Sequence, residues 1–577
     1  MQGTCTAVAV LTRDGIPLAV DVWLPAGAGA ERRVGTVIRA TRYWRAAVGA
    51  ADDTATVGEA ELFTGHDLAL VTVDVRGTGA SAGRWESPWS DAELADLADV
   101  VTWVVAQPWS NGRCGAHGVS YDGNTAEMLA SLGSPHVLAV SPRFADYDPW
   151  AHLTFPGGVL LQEFLARWSA ETRALDLDDP SLAASSPEEA EELRAWVGHP
   201  KPLDDDVEGS AVRAAVAEHD GNVDLWRLAS ELVDYDDAAS RALGYPATAP
   251  FARRGGVDGS VVAMRPVGSW YDAGTAAGVL ARFRSTEAPQ HAVIGAWSHG
   301  GGFDADPFRG EPGEADPPLD TQRTDLAAWL ADRLGGAEVP VTEPTLTFVT
   351  VGSGSWRTTP VWPIAGVGEK RVHLTSKGEL ATQPDGDGTV EYDVDPLATT
   401  GPSNRWHTQA GQAPVHYGDR AEADRRCVTW TGDQLEAPMT ITGTPWLHLV
   451  MSTTATDGAV HAYLEAVSPH GRVVYLTEGV LRLRHRAVGP APYVADGPYH
   501  PCTTEFARSM TPGRAEPVDL ALFPLSAQVP SGWRLRLALA GADSGTFAGI
   551  SLSEDPRWTL HTGPDGSWLA LPVEEGA

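Results

Sequence analysis

The spacing of apolar positions divides the chain into stretches of different rhythm. Residues 6–24 alternate about Arg13-Asp14-Gly15, with Val8 and Val10 before the turn and Leu18, Val20, Val22 and Leu24 after it, which predicts a β-hairpin ended by Pro25. Residues 34–40 and 68–74 are continuous apolar runs of the length of a buried strand. Between 90 and 107 the period lengthens. Leu94, Leu97, Val101, Val104 and Val105 recur every three to four residues, and Asp91 and Glu93 fall in the first turn, where negative charge suits a helix dipole. Strands at 260–267 and 291–295 and helices at 276–284 and 321–334 continue the alternation, so this part predicts a mainly parallel α/β sheet.

Two further stretches break that rhythm. Residues 145–245 are acidic and helix-rich. Ser186-Pro187-Glu188-Glu189 is a helix start with Ser as N-cap and Pro at the first helical position, and Gly198 and Pro200 end that helix. A helical block inside an α/β sheet reads as a cap. From about 345 the chain turns to short alternating runs, such as 346–351, 446–451 and 533–539, which predict a β-sandwich or jelly roll. The resulting division is 1–144 with 246–340 for the α/β domain, 145–245 for the cap and 341–577 for the β-domain.

Composition narrows the classes. A chain of 577 residues with 43% hydrophobic and 20% charged residues is a multidomain globular protein. A formal charge of −34 speaks against nucleic acid or an anionic membrane as partner. Four scattered cysteines give neither a disulfide framework nor a zinc pattern, and Cys114 reads as a buried structural thiol. The first ten residues lack the basic start and apolar core of a signal peptide, and no apolar run is long enough to span a bilayer, so we expect a cytoplasmic protein.

The candidate chemistry centres on Gly118-Val119-Ser120-Tyr121-Asp122-Gly123, where a strand-like run meets a Ser turn followed by a small-residue helix. That is the outline of a nucleophile elbow, although the second glycine stands one residue later than in Gly-x-Ser-x-Gly. Such turns also occur on ordinary surfaces, so the motif needs partners. Asp272 and His299 supply them, each just after a strand and in the order Ser, Asp, His of α/β-hydrolases. A serine hydroxyl needs a base, an imidazole can take and return its proton near neutrality, and a carboxylate fixes the imidazole tautomer. The competitors are His117, which should point into the sheet, and Asp74, which precedes Ser120 and suits an anchor for the Arg76-Gly77 turn.

With these residues in order, the sequence resembles the cocaine esterase and X-prolyl dipeptidyl-peptidase-like family of serine hydrolases. The likeness runs through Arg42-Tyr43-Trp44, Asp74-Val75-Arg76-Gly77, the Gly-x-Ser-Tyr-x-Gly elbow, Trp270-Tyr271-Asp272, Trp297-Ser298-His299, Gly354-Ser355-Trp356-Arg357 and Glu478-Gly479-Val480-Leu481-Arg482. The resemblance implies an α/β-hydrolase fold with an inserted helical cap and a C-terminal β jelly roll of the galactose-binding-like kind. It implies Ser120 as nucleophile, His299 as base and Asp272 as orienting acid. The oxyanion donors would be the Tyr121 backbone N–H and the Tyr43 hydroxyl. Trp44, Trp150 and Trp168 would line the acyl pocket.

No metal or organic cofactor is implied. The partner is a small-molecule ester or amide, and a homodimer stays open. Carboxylesterase ranks above X-prolyl dipeptidyl-peptidase, which needs a site for a substrate ammonium. The acidic run Asp204-Asp205-Asp206-Val207-Glu208 could serve, although such a run is usually a solvated face. Amino-acid ester hydrolase, acyltransferase and, in another class, a catalytically silent binding protein are the alternatives.

Overall fold

The computed structural model describes residues 4–50, 54–336, 343–409, 414–552 and 555–575. The N-terminal hairpin forms as its alternation predicts: β1 (Thr4–Leu11) pairs antiparallel with β2 (Pro17–Leu24), Thr4 opposite Leu24. Next come β3 (Val34–Thr41), β4 (Leu68–Asp74), β5 (Ser110–Val119), β6 (Val137–Arg143), β7 (Val267–Ser269) and β8 (His291–Gly295). From β4 to β8 the neighbours in the sheet pair parallel. β4 is buried along its whole length, as an apolar run covered on both faces must be.

The order across the sheet is β1-β2-β4-β3-β5-β6-β7-β8, then β9 (Thr345–Thr350) and β10 (Ser355–Thr359). Successive strands add to opposite sides of β3, so the carboxyl ends of β3 and β5 flank the crevice where α/β sheets place ligands.

β9 and β10 correct the expected boundary at 340. β9 runs parallel to β8 and β10 returns antiparallel, so both belong to the α/β sheet rather than to the β-domain. Alternation at 346–351 identified a strand but carried no information about which sheet it joins. Leu346 and Phe348 are buried in one cluster with Trp270 and cover an edge that β8 would otherwise leave open. The strand expected over 260–267 is likewise reduced to Ala263–Met264 and β7; Pro266 between them has no N–H to donate.

Helices α1 (Thr54–Gly65), α2 (Asp91–Val105) and α3 (Tyr121–Ser131) alternate with these strands. The Ser90 side chain caps α2 by accepting the Glu93 N–H at 3.2 Å. The cap contains α4 (Gln162–Asp176), α5 (Pro187–Val197) and α6 (Ser210–Glu218). Ser186 caps α5 as expected, accepting the Glu189 N–H at 3.2 Å. After two five-residue helices, Leu225–Ala229 and Ala238–Ala242, α7 (Pro250–Asp258) packs back on α3, so the cap ends near 245. α8 (Thr275–Ser285) and α9 (Leu319–Leu334) complete the α/β domain.

The remaining strands, among them Val428–Gln434, Trp446–Thr453, Ala459–Val467, Val473–Arg482 and Arg534–Ala540, build the jelly-roll domain. Its core is continuous with that of the α/β domain: Trp270, Tyr271 and Phe348 share one buried cluster with Trp430, Leu447 and Tyr463. Among the described residues no helix is long and apolar enough to cross a membrane.

Candidate active site

Ser120 stands between β5 and α3 at φ 61°, ψ −125°. A non-glycine residue held there stores about 1–3 kcal/mol of strain. Two hydrogen bonds fix it: the Ser120 N–H donates to Arg143 O at 2.9 Å, and its carbonyl accepts the Asn124 N–H at 3.0 Å. The glycines around it are steric necessities. A Cβ on Gly118 would lie 2.3 Å from the Asp122 carbonyl carbon, and one on Gly123 would lie 2.8 Å from Arg143 O. The late glycine is therefore required where α3 crosses the end of β6. Asp122, in the place of the usual second glycine, turns its carboxylate toward Arg39 at 3.4 Å, and burial pushes its carboxyl up to about 7.

One side of the site is built by Tyr43 and Tyr121. Tyr43 lies just past β3, and its hydroxyl oxygen accepts the Trp168 indole N–H at 2.8 Å. The phenol proton is thus left to donate elsewhere, and the Ser120 hydroxyl lies beside it. Burial holds this phenol above its ordinary pKa, so it stays protonated. The Tyr121 ring is anchored away from the site: its hydroxyl donates to Glu93 Oε2 at 2.7 Å and accepts from Trp85 Nε1 at 3.1 Å. Its backbone N–H, first in α3, belongs to the unpaired donors of a helix start.

The other side is built by Asp272 and His299. His299 Nδ1 lies 3.0 and 3.1 Å from the two carboxylate oxygens of Asp272, and both residues are buried. The edge of Phe144 packs on the imidazole at 5.8 Å. The β-domain reaches in to brace this pair. Gln409 Nε2 donates to Asp272 Oδ1, and Thr408 Oγ1 accepts the His299 N–H at 2.8 Å. Buried Arg405 donates to Ala273 O and Trp270 O, both at 2.8 Å, on either side of Asp272. Ala273 sits at φ 40°, and Arg405 O accepts its N–H at 2.9 Å. Among the described residues no hydrogen bond joins Ser120 Oγ to His299.

A cavity of about 80 Å³ opens above Ser120, walled by Tyr43, Trp89, Leu153, Phe155, Phe164 and Trp168 among others. Trp168 lines this cavity and also positions Tyr43. Trp44 and Trp150 do not line the cavity, which corrects the expected acyl pocket. Trp44 follows Tyr43 at φ 69° and is buried outside that lining. Trp150 lies one layer back, stacked on Phe155 at 4.1 Å and edge-on to Tyr245 at 6.1 Å, both of which do line the cavity.

The acidic run of the cap lies elsewhere as well. Asp204 accepts the Ala7 N–H at 2.9 Å, and Asp206 caps α6 through Ala211 N and Val212 N at 3.0 Å. Among the described residues the one carboxyl lining the cavity is that of Asp146, which sequence reasoning missed although it lies three residues past β6. Burial, reinforced by the charge of Asp272, raises its pKa well above the usual carboxylate range. His117 points into the domain and pairs with Glu59 at 2.7 Å. Asp74 anchors the turn after β4, accepting the Ala80 N–H at 2.9 Å and Arg45 Nη1 at 2.8 Å.

Residues 14–301 match the family model of the X-Pro dipeptidyl-peptidase (S15 family), and residues 320–551 match its C-terminal non-catalytic domain. A candidate serine esterase of Mycobacterium bovis is 32% identical over 582 residues, covering 93% of this chain and 90% of that protein. The cocaine esterase of Rhodococcus sp. is 29% identical over 502 residues, 83% of each chain. A CocE/NonD family hydrolase from Staphylococcus aureus superimposes with a TM-score of 0.71 at 17% identity, covering 99% of this chain and 94% of that one. This last likeness is one of fold.

Proposed function

This chain belongs to the X-Pro dipeptidyl-peptidase (S15) and cocaine esterase family of serine hydrolases, and on that premise we propose that it cleaves small esters through an acyl-enzyme on Ser120. Ser120 Oγ turns from Tyr43 toward His299 and attacks the substrate carbonyl while His299 Nε2 takes its proton. Asp272 holds the imidazole through Nδ1 and stabilises the imidazolium. The Tyr121 N–H and the Tyr43 hydroxyl receive the developing oxyanion. His299 returns the proton to the leaving alkoxide, then activates a water that releases the acid and restores Ser120.

The observation that carries this reading is the buried Asp272–His299 pair, 3.0 Å apart, with Ser120 held at φ 61° under a small apolar cavity. The cavity suits a short acyl chain. No metal or organic cofactor enters the mechanism. The same reading assigns the enzyme a small-molecule substrate and a cytoplasmic site, in keeping with four free cysteines.

A second reading, hydrolysis of amino-acid esters or X-Pro peptides, is favoured by Asp146 alone, the one acid in the cavity and a group that could meet a substrate ammonium once ionised. The test is a panel of p-nitrophenyl esters, amino-acid esters and X-Pro-anilides with wild type, Ser120→Ala and Asp146→Asn. Short-chain esters are expected to be turned over best, and Ser120→Ala is expected to lower kcat by roughly 10⁴-fold or more. Wild-type turnover by Ser120→Ala would remove the nucleophile. Preference for an amine-bearing substrate that disappears in Asp146→Asn would establish the second reading.

A further inference from the structure

A second cavity, of about 440 Å³, is larger than the one above Ser120 and shares no lining residue with it. It lies between α9 and the half of the sheet formed by β6 to β10. It exists because α9 packs against β3, β5 and β6 and leaves the later strands without a helix on that side.

Two arginines face this space without an acid partner. Arg143 is 5% exposed, and the one hydrogen bond of its guanidinium among the described residues goes to Gln322 Oε1 at 3.2 Å. Arg265 has no side-chain hydrogen bond or ion pair among those residues. Glu59, the acid whose charge reaches Arg143, is already held by Arg39 at 3.0 Å and His117 at 2.7 Å.

Elsewhere among the described residues no buried arginine is left in this state. Arg42 is paired with Asp176, Arg45 with Asp21 and Asp74, Arg282 with Glu127, and Arg420 with Glu465. Arg405 lacks an acid but donates to two carbonyls and a tyrosine hydroxyl. An uncompensated buried guanidinium is costly. It stands out in a protein of net charge −34, where acids are abundant. Burial, with Arg265 and Arg323 close by, pushes the Arg143 guanidinium down to about 10, the direction expected of a cation lacking its counter-ion.

The rest of the lining narrows the ligand. Asp316 and Asp325 stand exposed among the lining residues, and the charge of Asp325 reaches Arg265. Arg143, Arg265 and the nearby Arg323 set three positive charges against these two acids, so the unmet demand is for one negative charge. Trp297 and Trp356, 5.8 Å apart and inclined at 37°, offer a flat apolar wall beside the arginines.

We propose that this cavity binds a small organic monocarboxylate with a planar body, the carboxylate between Arg143 and Arg265 and the body against Trp297 and Trp356. The site touches the loop that carries His299 at both ends. Trp297 precedes His299 by two residues and ties to Asp316 O at 3.0 Å, and Gln322, the partner of Arg143, donates to Gly301 O at 3.0 Å.

The test is calorimetric titration of the full-length protein with benzoate as probe. Wild type is expected to show one saturable site. Arg143→Gln and Arg265→Gln are each expected to weaken it by about tenfold or more, since each removes half of the charge clamp. Leu225 also lines the cavity above Ser120, so Leu225→Trp, which narrows that cavity, is expected to leave benzoate affinity unchanged. Should Arg143→Gln fail to fold, the partly exposed Arg265 decides alone. No saturable binding up to about 10 mM, unchanged affinity in Arg265→Gln, or loss of binding in Leu225→Trp would each overturn the site. Tighter binding of inorganic phosphate than of benzoate would overturn the assignment to a monocarboxylate. Because binding rather than turnover is read, the result stands apart from any test of Ser120 as nucleophile.

Discussion

The two sides of the candidate active centre are built by different parts of the chain. On the Ser120 side the supports come from the α/β domain and the cap: Glu93 and Trp85 hold Tyr121, and Trp168 of α4 holds Tyr43. On the His299 side the supports come from a segment of the β-domain more than a hundred residues away, where Arg405, Thr408 and Gln409 hold the backbone and side chains of the acid–base pair. The first side can be assembled by local folding of a strand, a turn and a helix. The second is complete only when the jelly roll has docked. The difference teaches that the β-domain is part of the site's scaffold, not merely a body packed against it.

The largest expected effect inside this comparison is on the Ser120 side. Tyr43→Phe removes a single hydroxyl from a buried place where its oxygen is already satisfied by Trp168. If the phenol proton serves the oxyanion, kcat is expected to fall by roughly 10²–10³-fold with KM little changed. An unchanged kcat in single-turnover assays would take Tyr43 out of the mechanism and leave the Tyr121 N–H as the sole donor proposed.

The next effect probes the other side. Gln409→Leu leaves Asp272 with His299 and Thr275 but without the donor from the β-domain. The carboxylate is then free to swing, and small misplacements of a reacting group cost roughly 10- to 100-fold. The loss should appear in kcat, with Tm and KM near wild type. Wild-type kcat would mean that the Gln409 contact positions nothing at the site, and would leave that role to Thr408 and Arg405.

The same division explains what could be read from the sequence. Ser120, Asp272 and His299 each follow a strand directly, so strand periodicity and chain order brought them to one sheet edge before any contact was known. Their supports carry no such signal. Gln409 stands in a segment with no periodicity, and its role depends on a contact 137 residues away in the chain. Trp44 and Trp150, placed in the acyl pocket by resemblance, fall outside the cavity lining, because a matching position does not fix where a side chain packs. β9 and β10 were given to the wrong domain because alternation identifies a strand and not its sheet. Arg143 was invisible as well, since no sequence pattern records the absence of a partner.

The smallest effect on turnover, and the clearest on stability, concerns Glu93 beneath Tyr121. Burial pushes its carboxyl from the ordinary 4.5 up to about 8, against the hydrogen bonds from Tyr121 and Trp89. The sign follows from proton counts. Between these two values the folded chain holds a proton that the unfolded chain has released, so stability falls as pH rises through the window and the contribution is gone above it. Glu93→Gln keeps an oxygen to accept from Tyr121 but cannot titrate, so kcat should change little. Relative to wild type, the variant is expected to gain stability between about pH 5 and 8, by a few kcal/mol at the alkaline end at about 1.4 kcal/mol per unit. The quantity to measure is the difference in Tm between the two proteins at pH 5, 7 and 9, in which other titrating groups cancel. If that difference does not change with pH, Glu93 is ionised in the folded chain, and the Ser120 side rests on a charge rather than on a neutral acid.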